Sequence, residues 1–96
     1  MIRSFQDALT EALFHGELHK ARRFPSELLR VAQRKLQYVN AAAKLEDLRV
    51  PPGNRLEKLK RNLQDFHSIR INDQWRVIFQ WIENEAHGVK VIDYHD

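Results

Sequence analysis

The chain ends in three residues whose side chains can hold or move a proton. Asp93, Tyr94 and His95 follow the apolar run "VKVI", and a single aspartate comes after them. A carboxylate and an imidazole can act as general base and general acid, and the imidazole titrates near physiological pH. In a β-strand, Asp93 and His95 would share a face about 7 Å apart, while Tyr94 would point the other way. Taken alone, these residues fit a polar strand end with a half-packed tyrosine more simply than a catalytic group.

A second set of candidate residues is basic. If the strands around positions 70 and 76 pair as a hairpin, Arg70 and Arg76 lie side by side, opposite the face of Ile69 and Val77. Two guanidinium groups that close are unfavourable unless a phosphate or a carboxylate lies between them. Both explanations stay open, because the sequence also offers the carboxylates of Glu57, Asp73 and Asp93. The other basic residues of this set are Arg55, Lys58, Lys60 and Arg61.

Other catalytic and metal-binding patterns are weak in this sequence. His15 and His19 have the spacing of metal ligands on a helix, but the intervening Gly16 favours a solvated loop. The absence of cysteine excludes a disulfide framework, a thiolate zinc site and a cysteine nucleophile. Neither a glycine-rich phosphate loop nor a nucleophile elbow is present. Trp75 and Trp81 fall on one strand face and are expected in the core rather than as a stacking platform.

Length and composition predict one folded domain that spans residues 1–96. The hydrophobic fraction of 43% and the charged fraction of 30% are close to those of globular proteins. A net charge of +3 favours a polyanionic or acidic partner without requiring one. With neither a membrane-spanning run nor a cleavable leader, the cytoplasm is the expected location.

The first half of the chain is predicted to hold two helices. "IRSF" is expected as a short first strand, and Asp7 as the N-cap of a helix through "DALTEALF". The clearest helical periodicity runs over residues 25–43, with Pro25 at the first helical position. Residues 55–63 fit either a helix or an edge strand that leads into a loop.

The second half is predicted to be a three-stranded meander. "HSIRI" alternates, "INDQ" can form a tight turn, and "WRVIFQWI" alternates again. "ENEAHG" is expected as a second turn, after which "VKVIDYH" returns as a strand. Helices followed by a meander predict an α+β fold, a small and mainly antiparallel sheet with two helices packed on one face.

Four stretches, in this order, resemble HigB-type toxins of the RelE superfamily from bacterial type II toxin–antitoxin systems. They are "MIRSF", "DLRVPPGNRLEKLK", "SIRINDQWRVIFQW" and "VIDYH". The resemblance covers nearly the whole chain, and "PPGNRLE" with "SIRINDQWR" is its most specific part. It implies a RelE-like fold and a ribosome-dependent mRNA endonuclease that cleaves translated mRNA in the A site by 2′-hydroxyl attack, which inhibits translation and growth.

The resemblance also implies what the protein works with. It implies neither a metal nor an organic cofactor. The implied partners are a helix-turn-helix antitoxin of the HigA type and the 70S ribosome with its mRNA. Operator DNA would be reached only through the antitoxin, and no membrane would be involved.

Site residues carry over by position in the family pattern. Asp93 and His95 would supply the proton chemistry, and Tyr94 would orient or stack a base. Lys60 and Arg76 would hold the phosphate. Glu57 falls where some members carry a histidine, and its role stays open. The remaining RNA-binding candidates are Arg55, Lys58, Arg61 and Arg70.

One segment, "RNLQDFH", departs from the family pattern. Many relatives have Gly-Asp-Arg and a further glycine here, whereas this chain has Arg61, Asn62, Leu63 and Asp65. A loop without glycine loses conformations with positive φ, and one phosphate-binding arginine is missing. These departures motivate an alternative, a catalytically weakened relative that acts as an antitoxin-binding or co-repressor module. A generic RNA-binding module is less favoured, because the charge surplus is small and no exposed aromatic pair is evident.

Overall fold

Four β-strands pair in chain order into one antiparallel sheet, and two α-helices pack on one of its faces. These elements belong to residues 1–94, which the computed structural model describes. The strands are β1 (Glu57–Lys58), β2 (His67–Arg70), β3 (Trp75–Ile82) and β4 (Glu85–Asp93). The helices are α1 (Ala8–His15) and α2 (Leu29–Ala41), and short 3-10 turns lie between them and the sheet. The predicted α+β class is confirmed.

The first helix begins where the sequence predicts. The Oδ1 atom of Asp7 accepts the backbone N–H of Thr10 at 2.8 Å, which satisfies one of the free donors of the first turn. Gly16 ends the helix with a φ of 72°, a left-handed conformation that glycine adopts without strain. Thr10 is fully buried, and its hydroxyl accepts the backbone N–H of Val91 at 3.0 Å. This bond ties α1 to β4.

The second helix is shorter than the predicted span of residues 25–43. Pro25 is extended, with a ψ of 125°, and Ser26–Leu28 form a 3-10 turn, so α2 begins only at Leu29. Neither Pro25 nor Leu28 makes a side-chain capping hydrogen bond at this start. At the other end Ala42 is extended, with a ψ of 128°. The predicted apolar stripe is confirmed, and its fully buried members are Ala32, Leu36 and Val39.

The core lies between the two helices and one face of the sheet. Its strand residues alternate, as expected for a half-buried antiparallel sheet. Fully buried side chains of the sheet on this side are Ile69, Val77, Phe79 and Val89. Trp75 and Trp81 pack against the same core, with Phe24 in edge contact with Trp75 at 4.8 Å, so their predicted core role is confirmed. Neither helix of residues 1–94 is long and apolar enough to span a membrane.

A bulge in β4 changes its alternation at Gly88. Ile78 pairs with Lys90, whereas Gln80 pairs with His87, so one residue of β3 faces two residues of β4. Gly88 has a φ of 60° at this point. The predicted turn "ENEAHG" is therefore wrong in its length. The turn comprises two residues, 83 and 84, and β4 begins at residue 85.

The N-terminal segment does not form the predicted continuous strand. It makes two separate parallel bridges to β4, Ile2 with Ala86 and Phe5 with Val89. The bulge lies between these two contacts, where the Ser4 hydroxyl accepts the N–H of Gly88 at 2.8 Å. Backbone bonds on both sides of the bulge cover the outer edge of β4 and leave it less open to pairing with another chain.

The two-residue turn between β3 and β4 gives a stability prediction. Glu83 and Asn84 have φ values of 50° and 63°, and such turns favour asparagine and glycine. Glu83 is exposed, so the substitution Glu83→Asn loses no packing. We expect it to raise the free energy of unfolding by about 0.5–1 kcal/mol, because asparagine tolerates the left-handed conformation better.

Urea denaturation monitored by tryptophan fluorescence measures this change. The control Glu83→Val should lower the free energy of unfolding, because a β-branched side chain is strained at positive φ. Equal stability of both variants would contradict the turn geometry.

Candidate phosphate-binding site

Arg76 lies on the face of the sheet opposite the helices, where neighbouring side chains contact its guanidinium group. Its side chain is 13% exposed and forms an ion pair with the carboxylate of Glu57. Its Nη1 atom also donates to the hydroxyl of the buried Ser68 at 3.0 Å. The pairing register explains the contact, because Glu57 lies opposite Ser68 on the adjacent strand. Three neighbouring strands therefore contribute one residue each to this cluster.

Tyr94 completes the surroundings of Arg76. The Arg76 guanidinium carbon lies 4.9 Å from the centroid of the Tyr94 ring, within the range of a cation–π contact. The backbone N–H of Tyr94 donates to the carbonyl of Gln74 at 2.6 Å, which holds the end of β4 against the preceding turn. Sequence alternation predicted that Tyr94 would point away from the face of Asp93, and in the structure its ring lies on that other side, against Arg76.

Three guanidinium groups meet at a small polar cavity beside this cluster. Arg70 and Arg76 are directly opposite each other in the β2–β3 register, and Arg70 is ion-paired with Asp73. The cavity holds about 100 Å³ and is lined by Arg55, Arg70, Asn72, Asp73 and Arg76. The sequence left open whether a phosphate or carboxylates accompany the two arginines, and in the structure Asp73 pairs with Arg70 and Glu57 with Arg76. The same cavity suits a phosphate-sized anion, because guanidinium groups bind phosphate oxygens in pairs.

A buried contact that the sequence did not reveal supports Arg55. Lys35 is 8% exposed on α2, and its Nζ donates to Oδ1 of the fully buried Asn54 at 2.6 Å. The Asn54 amide donates in turn to the carbonyls of Leu48 and Val50. Burial lowers the pKa of Lys35, and the nearby Arg34 and Arg70 lower it further. Arg55 follows Asn54 directly, so this contact helps to fix where its backbone lies.

The other basic candidates line a separate and larger cavity. Residues 55–63 form the short edge strand β1 and a 3-10 turn, which agrees with the edge-strand alternative and not with the helix. Beyond the strand, a cavity of about 350 Å³ is lined by Lys58, Leu59, Lys60, Arg61, Gln64 and Asp65. Lys60 and Arg76 thus line neighbouring but different cavities.

The structure does not bring Asp93 to the arginine face. Asp93 pairs with Trp75, so its side chain leaves the sheet on the side of the tryptophan. There its Oδ2 atom accepts the side-chain amide of Gln74 at 2.9 Å. The predicted catalytic residue His95 lies outside the described residues.

The sequence matches the family model for HigB-like toxins, described as "RelE-like toxin of type II toxin-antitoxin system HigB", over residues 3–95. The chain belongs to this family. It is 41% identical to Toxin HigB-1 of Vibrio cholerae over 86 residues, which cover 90% of each chain. It is also 37% identical over 75 residues to an uncharacterized protein of Haemophilus influenzae, covering 78% of this chain and 72% of that protein.

Solved structures share the fold of this HigB-like chain at low sequence identity. The TM-score is 0.59 against a crystal structure of the heterotetrameric YoeB-YefM toxin-antitoxin complex from Staphylococcus aureus, at 16% identity, covering 100% of this chain and 99% of that chain. It is 0.55 against the crystal structure of YafQ from E. coli strain BL21(DE3), at 11% identity, covering 97% and 93%. At these identities the likeness shows the fold alone.

The HigB-like chain departs from its family pattern at a residue with unusual backbone geometry. Arg61, which the resemblance places at a position of glycine, has a φ of 61°. A left-handed conformation costs a non-glycine residue about 1 kcal/mol or more. The expectation that this loop loses positive φ without glycine is therefore wrong, because Arg61 adopts that conformation itself.

His67 is a half-buried titratable group on the helix-facing side of β2. Its Nδ1 atom is buried and has no hydrogen-bond partner among residues 1–94. The ring stacks on Phe79 with centroids 6.1 Å apart. Burial lowers the pKa of His67, and the nearby ammonium of Lys58 lowers it further.

This histidine predicts how stability depends on pH. Because its pKa is lower in the folded state, the unfolded chain binds more protons as the pH falls through the ordinary histidine value of about 6.5. The contribution of neutral His67 is therefore complete above that value and is lost on acidification. Between about pH 7.5 and about pH 5.5, we expect the free energy of unfolding to decrease less in His67→Gln than in the wild type.

Urea titrations at both pH values measure the difference. The exposed His19 offers the matched control His19→Gln, which should keep the wild-type pH dependence. If His67→Gln keeps the full wild-type loss, His67 is not its source.

Proposed function

We propose that this chain is a ribosome-dependent endoribonuclease toxin that cleaves translated mRNA in the A site. The observation that carries the proposal is the Arg76 cluster, in which a mostly buried guanidinium faces a cavity with Arg55 and Arg70. Oriented guanidinium groups can stabilise the charge that grows on a phosphate during in-line attack. The family match supports the same class of protein.

The reaction we propose needs no group beyond RNA and protein side chains. The 2′-hydroxyl of one nucleotide loses its proton and attacks the adjacent phosphorus, and the bond to the 5′-oxygen breaks. The departing 5′-oxygen takes up a proton, so the products are a 2′,3′-cyclic phosphate and a 5′-hydroxyl. Arg55, Arg70 and Arg76 would bind the non-bridging oxygens of this phosphate. Lys60, with Lys58 and Arg61, would hold the RNA strand next to it.

We assign the proton acceptor to Glu57. Its carboxylate contacts the Arg76 guanidinium, whereas Asp93 leaves the sheet on the other side. A phosphate bound by Arg76 would displace Glu57 from the ion pair and leave its carboxylate beside the attacking hydroxyl. His95, by the family resemblance, would give the proton to the 5′-oxygen, and Tyr94 would stack on a base. Asp93 would position the end of β4 through Gln74.

The proposed partners follow from the toxin family. An antitoxin with a helix-turn-helix domain would bind this chain and carry it to operator DNA. The ribosome would present the mRNA and supply contacts that this small site lacks. All of these partners occur in the bacterial cytoplasm, where we place the protein.

A second candidate function has a specific observation in its favour. Both central arginines are already neutralised by carboxylates, Arg70 by Asp73 and Arg76 by Glu57. Such pairing weakens phosphate binding, and it would suit a relative that only binds its antitoxin and acts as a co-repressor. In that case induction of the chain would leave bacterial growth unchanged.

The first test concerns Arg76. Induction of the wild type in a bacterium should arrest growth and produce new 5′-hydroxyl ends in translated mRNA. Arg76→Ala should lower the frequency of these ends by about 100-fold or more, because the phosphate loses its main oriented donor. Arg3→Ala removes an exposed arginine at the opposite edge of the sheet and should cleave like the wild type. Normal growth with the wild type, or full cleavage by Arg76→Ala, would contradict the proposal.

A second test separates binding from proton transfer at Glu57. Glu57→Gln removes the carboxylate that competes with phosphate for Arg76, so affinity for uncleavable RNA should rise by about threefold or more. Its single-turnover cleavage rate on programmed ribosomes should fall by about 100-fold, because the general base is lost. Glu57→Asp, which keeps a carboxylate, should recover part of the rate. Wild-type cleavage by Glu57→Gln would remove Glu57 from proton transfer.

A further inference from the structure

A cavity outside the arginine cluster lies in the segment between β1 and β2. It holds about 350 Å³, and we call it the loop cup, defined by Lys58, Leu59, Lys60, Arg61, Gln64 and Asp65. The proposed function uses only its three cations, as general holders of the RNA strand. It assigns no role to Gln64, Asp65 and Leu59.

Backbone hydrogen bonds build the loop cup. The N–H of Leu59 donates to the carbonyl of Phe66 at 2.9 Å and closes the loop at its base. Three further bonds join Leu63 to Lys60, Gln64 to Arg61 and Phe66 to Leu63, with distances of 3.3, 3.1 and 2.8 Å. Because no side-chain contact is needed to hold this shape, the cup is formed before any ligand arrives.

The polar side chains of the loop cup have no partners within the described part of the chain. None of its three cations, nor Gln64, nor Asp65 makes a side-chain hydrogen bond or ion pair among residues 1–94. The neighbouring arginine cavity differs, because Arg70 and Arg76 are both ion-paired there. At the loop cup a ligand would displace no internal ion pair.

The chemistry of the loop cup fits a nucleotide better than a simple anion. Leu59 lines the cup but is only 5% exposed, so it offers a base a small apolar patch. Lys60 and Arg61 offer charge to a phosphate. The Asp65 carboxylate would repel a phosphate, but it accepts hydrogen bonds from N–H groups of a base. The Gln64 amide both donates and accepts.

We propose that the loop cup binds one nucleotide of the RNA strand and that Gln64 and Asp65 read the edge of its base. This inference rests on the proposed function and names a subsite within it. A carboxylate selects bases that present N–H donors, and guanine presents two adjacent donors that a carboxylate can take in bidentate fashion. Adenine and cytosine each present one amino group. Uracil presents its single N3–H donor between two carbonyl oxygens, which repel the second oxygen of the carboxylate, so it is the base that Asp65 disfavours most.

Binding of uncleavable RNA tests the inference separately from catalysis. Uridine hexamers with 2′-O-methyl sugars cannot supply the attacking hydroxyl, and one central position can be guanine, adenine, cytosine or uracil. Fluorescence anisotropy at low salt gives the dissociation constant of each. We expect the hexamer with guanine to bind the wild type at least about fivefold more tightly than the all-uridine hexamer, which is the range of one good bidentate contact.

Two substitutions in the loop cup should change this preference. Asp65→Asn should reduce the guanine preference to below about twofold, because an amide also donates and no longer rejects uracil carbonyls. Gln64→Ala should reduce it in part. Both positions are exposed, and thermal unfolding checks that the variants stay folded. Glu46→Gln, which removes an exposed carboxylate outside the loop cup, is the matched control and should keep the full preference.

The binding measurements can reject the base-reading role of the loop cup without rejecting the proposed endonuclease, and the reverse also holds. Equal binding of all four hexamers, an unchanged preference in Asp65→Asn, or no binding at low salt would overturn the base-reading role of the loop cup. Cleavage that depends on Arg76 could still be observed in each of those cases. Conversely, a guanine preference that Asp65→Asn removes, in a chain that does not arrest growth, would retain the subsite and reject the endonuclease.

Discussion

The ion pair between Arg76 and Glu57 is the interaction on which the arginine face depends. A guanidinium that is mostly removed from water needs a carboxylate and oriented acceptors to offset its desolvation. Glu57, Ser68 and Tyr94 supply them from three different elements, so the cluster forms only when the sheet has its observed register. The pair also holds the short strand β1 at the sheet edge. One electrostatic contact therefore connects the fold to the site we propose.

The two cavities differ in how many of their charged side chains already form ion pairs within the protein. At the arginine cavity, carboxylates compete with any incoming phosphate, which favours tight binding only for a ligand that engages several guanidinium groups together. At the loop cup, the side chains are available without such competition, but they are exposed to solvent and salt, which weakens each single contact. A strand of RNA that spans both cavities would displace carboxylates at the arginine cavity and none at the loop cup. Affinity would then come mainly from joint occupation.

Local sequence patterns predicted the parts of the fold that depend on local rules. Asp7 caps α1 because a side-chain oxygen beside a free N–H is a short-range requirement. The alternation of β3 was predictable because the extra residue of the bulge lies in β4 and not in β3. The bulge at Gly88 could not be predicted, because it changes the alternation in mid-strand and makes the start of β4 look like a turn. The contact of Lys35 with Asn54 was also missed, since a lysine on a helix normally reaches water and the partner is 19 residues away. In the site, alternation predicted that Tyr94 points away from Asp93, while its contact with Arg76 and the choice among three carboxylate partners needed the structure.

The bulge at Gly88 also determines which side chains the last strand presents to the RNA-binding side. Beyond the extra residue, the inside–outside parity of β4 is reversed, so Tyr94 rather than its neighbour meets Arg76. If Gly88 were deleted, the two halves of β4 could not both keep their core residues. Either Ala86 or the pair Val89 and Val91 would then have to leave the core. Substitutions along β4 are thus far easier to accommodate than single-residue insertions or deletions. Natural variation within this hairpin should therefore keep its length constant while its exposed residues change.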